Sequence, residues 1–125
     1  FAWYFGGSFK INSFCSTDDF KLISKHNLKI TLDLSHLIMS SNYFNFNTVE
    51  SIKNLKKITE HVHLAFASGI DNEGESFKNF NKKNKLILKK ILNFPCKKVI
   101  EVWQGHLKKY SGFRKSLNLI KKYLT

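Results

Sequence analysis

Lys29-Ile-Thr-Leu-Asp-Leu-Ser-His36 is the stretch that decides the fold. Its apolar residues alternate with polar ones up to Leu34, which is the two-residue period of a β-strand. Asp33 and His36 follow three residues apart, where the strand should end. In α/β proteins the carboxyl ends of strands open onto the face where loops gather, so an acid and an imidazole placed there indicate a functional cleft.

Two further stretches have the same form. His61-Val-His-Leu-Ala-Phe66 is a short apolar run with histidines, and Lys98-Val-Ile-Glu-Val-Trp-Gln-Gly-His106 is a β-branched run with an acid and then a histidine. The spacing between the three suits one βα repeat each, which predicts an α/β fold with a parallel sheet and right-handed crossovers. Three or four such units are half of a (β/α)8 barrel, which typically needs about 250 residues. A small open α/β sheet is the alternative, although the chain lacks a glycine-rich phosphate loop.

Length and composition favour one domain with little affinity for nucleic acid. The 125 residues suffice for one hydrophobic core but not for two comfortable domains. The formal charge is +12, yet Arg114 is the only arginine among the 21 basic residues, and arginine is the usual reader of bases and phosphates. We therefore interpret the lysines as solvated helix faces, which leaves attraction to a phosphorylated substrate open. Cys15 and Cys96 stand far apart and predict reduced packing thiols.

The chain shows no apolar run of membrane-spanning length and no secretory leader, so we expect a soluble, cytoplasmic protein. It begins with Phe1 instead of Met, and the segment Phe1-Ala-Trp-Tyr-Phe5 resembles the end of a strand. Gly6-Gly7 then predicts a turn. These features predict a fragment or a processed chain.

The remaining segments predict helices and two long loops. Ser16 or Thr17 caps a first helix that stops at Asn27, and Asn47 with Glu50 resembles a capping box. A lysine-rich helix is stopped by Pro95, and Ser111 caps a last one. The predicted inward-facing residues of these four helices are Phe20, Leu22, Ile23, Ile52, Leu55, Ile58, Leu86, Ile87, Ile91, Leu92, Phe113, Leu117, Ile120 and Leu124. The segments 37–47 and 67–76 are predicted to be irregular loops beside the site.

Ligand-type residues stand at three consecutive strand ends: Asp33 with His36, His63, and Glu101. Two carboxylates and two imidazoles suit Mn, Co, Zn or Mg and suit calcium or copper poorly. Each also has a structural interpretation: a cap for Asp33, loop surface for His36, a satisfied core histidine for His63, and a lysine partner for Glu101. Singly, the structural interpretation is preferred; together, at three strand ends, they favour a metal site.

These motifs, together with Ser68-Gly-Ile-Asp-Asn-Glu-Gly74, resemble the C-terminal half of the xylose-isomerase-like TIM-barrel superfamily. That superfamily includes sugar phosphate isomerases and epimerases and endonuclease-IV-type enzymes. The resemblance covers nearly the whole chain and is nearest to sugar isomerase/epimerase barrels found alongside sialic-acid-type sugar synthases. It implies a C-terminal partial barrel of parallel βα units, completed by a missing N-terminal half.

The resemblance also implies a divalent metal held by Asp33, with His36 nearby, by His63, by Glu101 and by an acid that would lie before Phe1. Glu101 is expected to contact metal and substrate or move a proton, and His106 with Lys108 is expected to hold a phosphate or hydroxyl of a sugar or sugar phosphate. His106 as a mere loop histidine stays equally open. The metal would stabilise an enediolate or a shifted hydride.

The sequence departs from the family pattern twice. Phe66 stands where the family usually has Asp after His-Leu-Ala, and a Gly-Glu-Gly segment is replaced by Glu73-Gly-Glu-Ser-Phe77. Two alternatives to an isomerase follow. An endonuclease-IV-like phosphodiesterase would exploit the basic charge but needs more metal ligands. A barrel remnant without activity would pack against a partner and need its strand edges covered.

Overall fold

The structure, a computed structural model, describes residues 14–70, 72–77 and 81–124, together with the backbone of 3–4 and 9–10. The predicted turn at Gly6-Gly7 lies outside these residues. In chain order the elements are β1 (Trp3–Tyr4), β2 (Phe9–Lys10), α1 (Thr17–Lys25), β3 (Ile30–Asp33), α2 (Leu34–Phe44), α3 (Thr48–Leu55), β4 (Thr59–Leu64), β5 (Phe66–Ser68), β6 (Asn72–Glu75), α4 (Lys82–Leu92), β7 (Lys97–Ile100) and α5 (Leu107–Leu124).

The predicted parallel sheet is confirmed. It has three strands in the order β3-β4-β7, and both pairings are parallel. Two short antiparallel pairs, β1 with β2 and β5 with β6, accompany it. The three strands are the ones identified from their apolar alternation, and helical connections lie between them. The chain is therefore an α/β protein built from parallel βα units.

The two faces of this sheet differ in burial. One face carries fully or nearly fully buried Leu32, Val62 and Leu64, which join a single core with apolar residues from all five helices. The opposite face is uncovered within the described residues, because its side chains are exposed or half-buried. They are Thr31, Asp33, His61, His63, Lys97, Val99 and Glu101.

Capping side chains set the starts of α1 and α3 as the sequence predicts. Ser16 begins α1 with a complete capping box, since its hydroxyl accepts from the Asp19 amide and the Asp19 carboxylate accepts from the Ser16 amide. Asn47 Oδ1 accepts from the amides of Val49 and Glu50 at the start of α3. Asn27 follows α1 with a positive φ of 51°, and α4 ends at Leu92, before Pro95. These caps satisfy amides that a helix cannot pair internally.

Both predicted long loops are wrong. Most of segment 37–47 belongs to α2, because Asp33 caps this helix and its apolar side, from Leu34 to Met39, is buried. Segment 67–76 contains most of a β5–β6 hairpin, which turns at Gly69 with a φ of 74°. Both segments are rich in serine, asparagine or glycine. Burial overrides that local preference in α2, whereas strand pairing and the contacts of Gly74 order the hairpin.

Some predicted core positions are exposed. Leu22, Leu86 and Leu117 are 51%, 45% and 43% exposed, whereas Ile23, Ile87 and Ile120 are buried. Helical period alone identifies an apolar side but not how much of it a neighbour covers. The side chain of Leu124 lies outside the described part. All other members of the predicted set are buried, apart from half-buried Phe113.

The last helix begins irregularly. Lys108, Lys109 and Tyr110 have left-handed φ values of 49°, 56° and 62°, so regular helix starts after Tyr110, next to the predicted cap Ser111. Among the described residues, no helix combines the length and the apolar character needed to cross a bilayer.

Candidate metal centre

The parallel register brings three of the predicted ligands together. Asp33 pairs with His63, and His63 pairs with Val99, two residues before Glu101. Paired residues on neighbouring parallel strands point to the same face, and so do residues two apart on one strand. One ligand atom from each of Asp33, His63 and Glu101 lies within 4.8 Å of the others. Three of the four residues predicted as metal ligands thus lie together at the strand ends.

Asp33 uses its two oxygens for different purposes. Oδ1 accepts from the His36 amide at 3.0 Å and caps α2, while Oδ2 lies 3.6 Å from His63 Nδ1. Asp33 is thus confirmed as a helix cap, and its second carboxylate oxygen lies toward the cluster. Because the cap fixes the carboxylate, Oδ2 is oriented before any ligand arrives.

His63 is the centre of the cluster. Its Nδ1 lies 2.5 Å from Glu101 Oε2 as well as 3.6 Å from Asp33 Oδ2. Its ring also packs edge-on against His61, with ring centroids 5.2 Å apart. Side-chain exposure rises from 22% for Asp33 to 32% for His63 and 57% for Glu101. The cluster is therefore anchored at Asp33 and open at Glu101.

His36 contacts a different carboxylate, that of Glu73. Its Nε2 lies 3.0 Å from Glu73 Oε2, and the two side chains are 18% and 28% exposed. Glu73 Oε2 is itself enclosed and receives no hydrogen bond of standard geometry from the described residues, so its contact with His36 is an ion pair only if His36 is protonated. His36 lines the same cavity as the three clustered ligands but does not belong to their cluster. The sequence did not identify Glu73, which lies in the β5–β6 hairpin that we predicted as a loop.

Gly74 connects the β5–β6 hairpin to Ser35 and Trp103 through hydrogen bonds of its backbone. Its amide donates to Ser35 Oγ at 2.9 Å, and its carbonyl accepts from the Trp103 amide at 2.8 Å. Its φ is +68°, and a Cβ at this position would lie 2.8 Å from Trp103 Cβ and 3.0 Å from Trp103 N. The glycine is thus required both by the backbone angle and by the close approach. In the sequence, Gly74 within the altered Gly-Glu-Gly segment was the residue that could have indicated this close contact.

A cavity of about 450 Å³ lies over the cluster. It is lined by Asp33, Ser35, His36, His63, Ala65, Glu73, Gly74, Glu101, Val102, Trp103, Gln104 and His106. The predicted substrate residue His106 is therefore at its rim. Lys108 instead lines a neighbouring cavity of about 390 Å³, together with Lys115. Five residues, Glu73, Gly74, Val102, Trp103 and Gln104, border both cavities.

Phe66 does not face the cavity. Its side chain is 4% exposed and packs edge-on against Phe77, with ring centroids 5.0 Å apart. Phe66 therefore belongs to the hydrophobic core, while its neighbour Ala65 lines the site.

No protein-family model, curated protein or solved structure gives a significant match to this chain. The chemistry of the site accordingly rests on its own residues. Two carboxylates and one imidazole are oxygen and nitrogen donors that fit Mn, Co, Zn or Mg. Three protein ligands leave coordination positions open, as in catalytic metal sites. The same three side chains also form a plain ion-pair cluster if His63 is protonated, and metal affinity distinguishes the two.

Proposed function

We propose that this chain is part of a metal-dependent sugar or sugar-phosphate isomerase or epimerase. The observation that carries the proposal is the convergence of Asp33, His63 and Glu101 at the carboxyl ends of three neighbouring parallel strands. A site at this edge is where α/β enzymes place their chemistry. The polar cavity above the cluster, with three histidines and an amide beside the carboxylates, suits a polyhydroxylated substrate.

We further propose that the sheet is one part of a (β/α)8 barrel completed by an N-terminal half. Parallel sheets are normally covered on both faces, yet one face here is polar and uncovered within the described residues. β3 and β7 are the edges of the described parallel sheet. Further strands added at both edges would close a barrel with the uncovered face inside, and one of them would supply the additional acid that the family resemblance implies.

The residues have separable roles in this proposal. Asp33, His63 and Glu101 would hold the ion, which would supply Lewis-acid polarisation of a carbonyl and an adjacent hydroxyl. Glu101 is the most exposed of the three, so its carboxylate is placed to accept a proton from the substrate carbon. His106, at the rim, is placed to hydrogen-bond a hydroxyl. His36 and Glu73 form the wall that orients the substrate.

The deciding experiment is calorimetric titration of the chelator-treated full-length protein with Mn²⁺ and Zn²⁺. We expect about one ion per chain, and at least a tenfold loss of affinity in Asp33→Asn, His63→Gln and Glu101→Gln, because each removes one ligand. Glu60→Gln is the matched control, since Glu60 is an exposed β4 carboxylate whose recorded ion pair is with Lys29 at 3.8 Å. Turnover is then measured as isomer or epimer formation from a panel of sugars and sugar phosphates, and deuterium incorporation in D2O distinguishes proton transfer from a hydride shift.

Two results would contradict the proposal. Absence of metal binding in the parent protein would leave the ion-pair interpretation and a barrel remnant without activity. Salt-sensitive nicking of DNA without isomer or epimer formation from any sugar would instead favour the endonuclease-IV-like function. Within the described residues there is one cluster of three ligand-type side chains, which is fewer than a multi-metal nuclease centre needs.

A further inference from the structure

The positive charge of the chain is concentrated in its C-terminal part. Residues 77–125 hold 14 of the 21 lysine and arginine residues but only one of the nine acids, Glu101. The first 76 residues hold the other seven basic residues and eight acids, so their charges nearly cancel. A general preference for lysine would raise lysine along the whole chain and would not remove acids from one part of it. The asymmetry therefore indicates a basic surface on the elements of this part, which include α4 and α5.

Helix α4 carries the largest share of this charge. One side of the helix, with residues such as Ile87 and Ile91, is buried in the core, and the opposite side is exposed. Five lysines lie on the exposed side: Lys82, Lys83, Lys85, Lys89 and Lys90. Their charges are not neutralised by an ion pair within the described residues, and α4 itself contains no acid. The exposed side of α4 is therefore uniformly positive.

An exposed leucine lies at the centre of these lysines. Leu86 is 45% exposed, and the residues three and four positions before and after it are Lys82, Lys83, Lys89 and Lys90. Residues at these spacings are neighbours on a helix surface, so ammonium groups surround the leucine. Leu22 on α1 is similarly exposed at 51%, but Asp18 and Asp19 stand four and three positions before it. Among the exposed leucines of the described residues, Leu86 alone has lysines at all four positions.

Helix α5 extends the basic surface. It is a neighbour of α4 and packs Ile120 into the same core. It contains no acid, and its exposed basic residues are Arg114, Lys115, Lys121 and Lys122. Leu117, between them, is 43% exposed. Because α4 lines neither of the cavities at the candidate metal centre, its exposed side is separate from that site.

We infer that the exposed sides of α4 and α5 bind an anionic phospholipid bilayer, with Leu86 inserted between headgroups and the surrounding lysines at their phosphates. Clusters of about four to eight basic residues on an amphipathic helix are attracted to anionic lipid, and an apolar side chain among them adds burial in the acyl boundary. A nucleic acid fits less well, because 13 of the 14 basic residues in this part are lysines and α4 offers no aromatic ring for stacking on bases. This interaction goes beyond the proposed function and uses none of its residues.

The test is co-sedimentation of the full-length protein with vesicles of phosphatidylcholine, either alone or with about a quarter phosphatidylserine. We expect binding only to the vesicles with phosphatidylserine, and weaker binding as salt is added. Lys89→Gln/Lys90→Gln should lower the vesicle affinity at least about tenfold, because it removes two of the five α4 charges. Leu86→Gln should lower it at least about threefold, because it removes the inserted apolar side chain and no charge.

Two matched controls lie on α1. Lys21→Gln/Lys25→Gln removes the same charge from exposed positions, and Leu22→Gln makes the same exchange at a similarly exposed leucine. Both should stay within about twofold of the parent, because attraction to the bilayer falls off within a Debye length of its surface. Equal losses in the α1 and α4 variants would show a general effect of charge or hydrophobicity and overturn the inference. Absence of binding to vesicles with phosphatidylserine would also overturn it.

Three further outcomes decide the partner and the independence of the two proposals. Binding of duplex DNA or single-stranded RNA that is tighter than vesicle binding at the same ionic strength, and unchanged in Leu86→Gln, would assign the surface to a nucleic acid instead. Vesicle binding that falls in Lys89→Gln/Lys90→Gln but not in Leu86→Gln would overturn the insertion of the leucine. Glu101→Gln, which should lose metal affinity, is expected to bind vesicles at least as tightly as the parent, so either proposal can fail without the other.

Discussion

Gly74→Ala should destabilise the protein by more than its backbone angle alone explains. A left-handed φ costs a residue with a Cβ roughly 1–2 kcal/mol. The new methyl group would also lie 2.8 Å from Trp103 Cβ and 3.0 Å from Trp103 N, and overpacking of that kind adds about 1–3 kcal/mol. The free energy of unfolding should therefore fall by roughly 2–5 kcal/mol, a large part of the 5–15 kcal/mol typical of a domain.

Gly69→Ala provides the matched control. Gly69 has a similar φ of 74°, lies in the same hairpin, and has open space where a Cβ would stand. It should cost only the backbone contribution of about 1–2 kcal/mol. Urea unfolding followed by circular dichroism gives both values, and the difference of about 1–3 kcal/mol measures the Trp103 contact. Equal destabilisation by the two substitutions would refute the close approach of the hairpin to Trp103.

Two further predictions concern the core. Phe66→Asp introduces the residue that the resemblance to xylose-isomerase-like barrels would lead one to expect. It should lower the free energy of unfolding by at least about 3 kcal/mol and leave Mn²⁺ affinity no higher, because the new carboxylate would be buried against Phe77 and would not face the cavity. Urea unfolding and calorimetric titration measure both effects, with Phe66→Leu as control, and a rise in Mn²⁺ affinity would contradict the prediction. Ser40→Ala should be neutral or stabilise by up to about 1 kcal/mol, since the Ser40 hydroxyl is buried without a hydrogen bond to any described residue. Ser41→Ala should destabilise by about 1–2 kcal/mol, since Ser41 Oγ donates to the Ile38 carbonyl and accepts from Thr48 Oγ1. Thermal unfolding of the two variants measures the sign of each effect, and destabilisation by Ser40→Ala would argue against the first prediction.

The parallel sheet was predictable because its strands are short apolar runs that place ligand-type residues at their ends. Leu32, Val62 and Leu64 had to face a core, so Asp33 and His63 had to face the other way. The two-residue period fixes this without knowledge of the partner strand. The clustering of Asp33, His63 and Glu101 follows once the strands are neighbours in a parallel sheet.

The missed features depend on contacts that are distant in sequence. α2 has serines and asparagine where a helix usually has better formers, and its stability comes from burial of residues such as Leu37 and Met39 and from the Asp33 cap. The pairing of His36 with Glu73 needs the hairpin to fold back onto α2, where the Gly74 amide meets Ser35 Oγ across 39 residues of chain. No local pattern indicates either contact.

The candidate site depends on an irregularity in strand pairing. Ile30 pairs with Thr59, yet Thr31 pairs with His61, so Glu60 is passed over between β3 and β4. Without this shift Asp33 would lie beside Val62, whose side chain points into the core. The shift places Asp33 beside His63 on the uncovered face. Val99 pairs with His63, and Glu101 lies two residues after Val99, so its side chain points to the same face. Bulges of this kind occur near active sites because they re-aim a side chain. The same shift sets buried Leu32 beside buried Val62, so one register aligns the hydrophobic core on one face and Asp33 with His63 on the other.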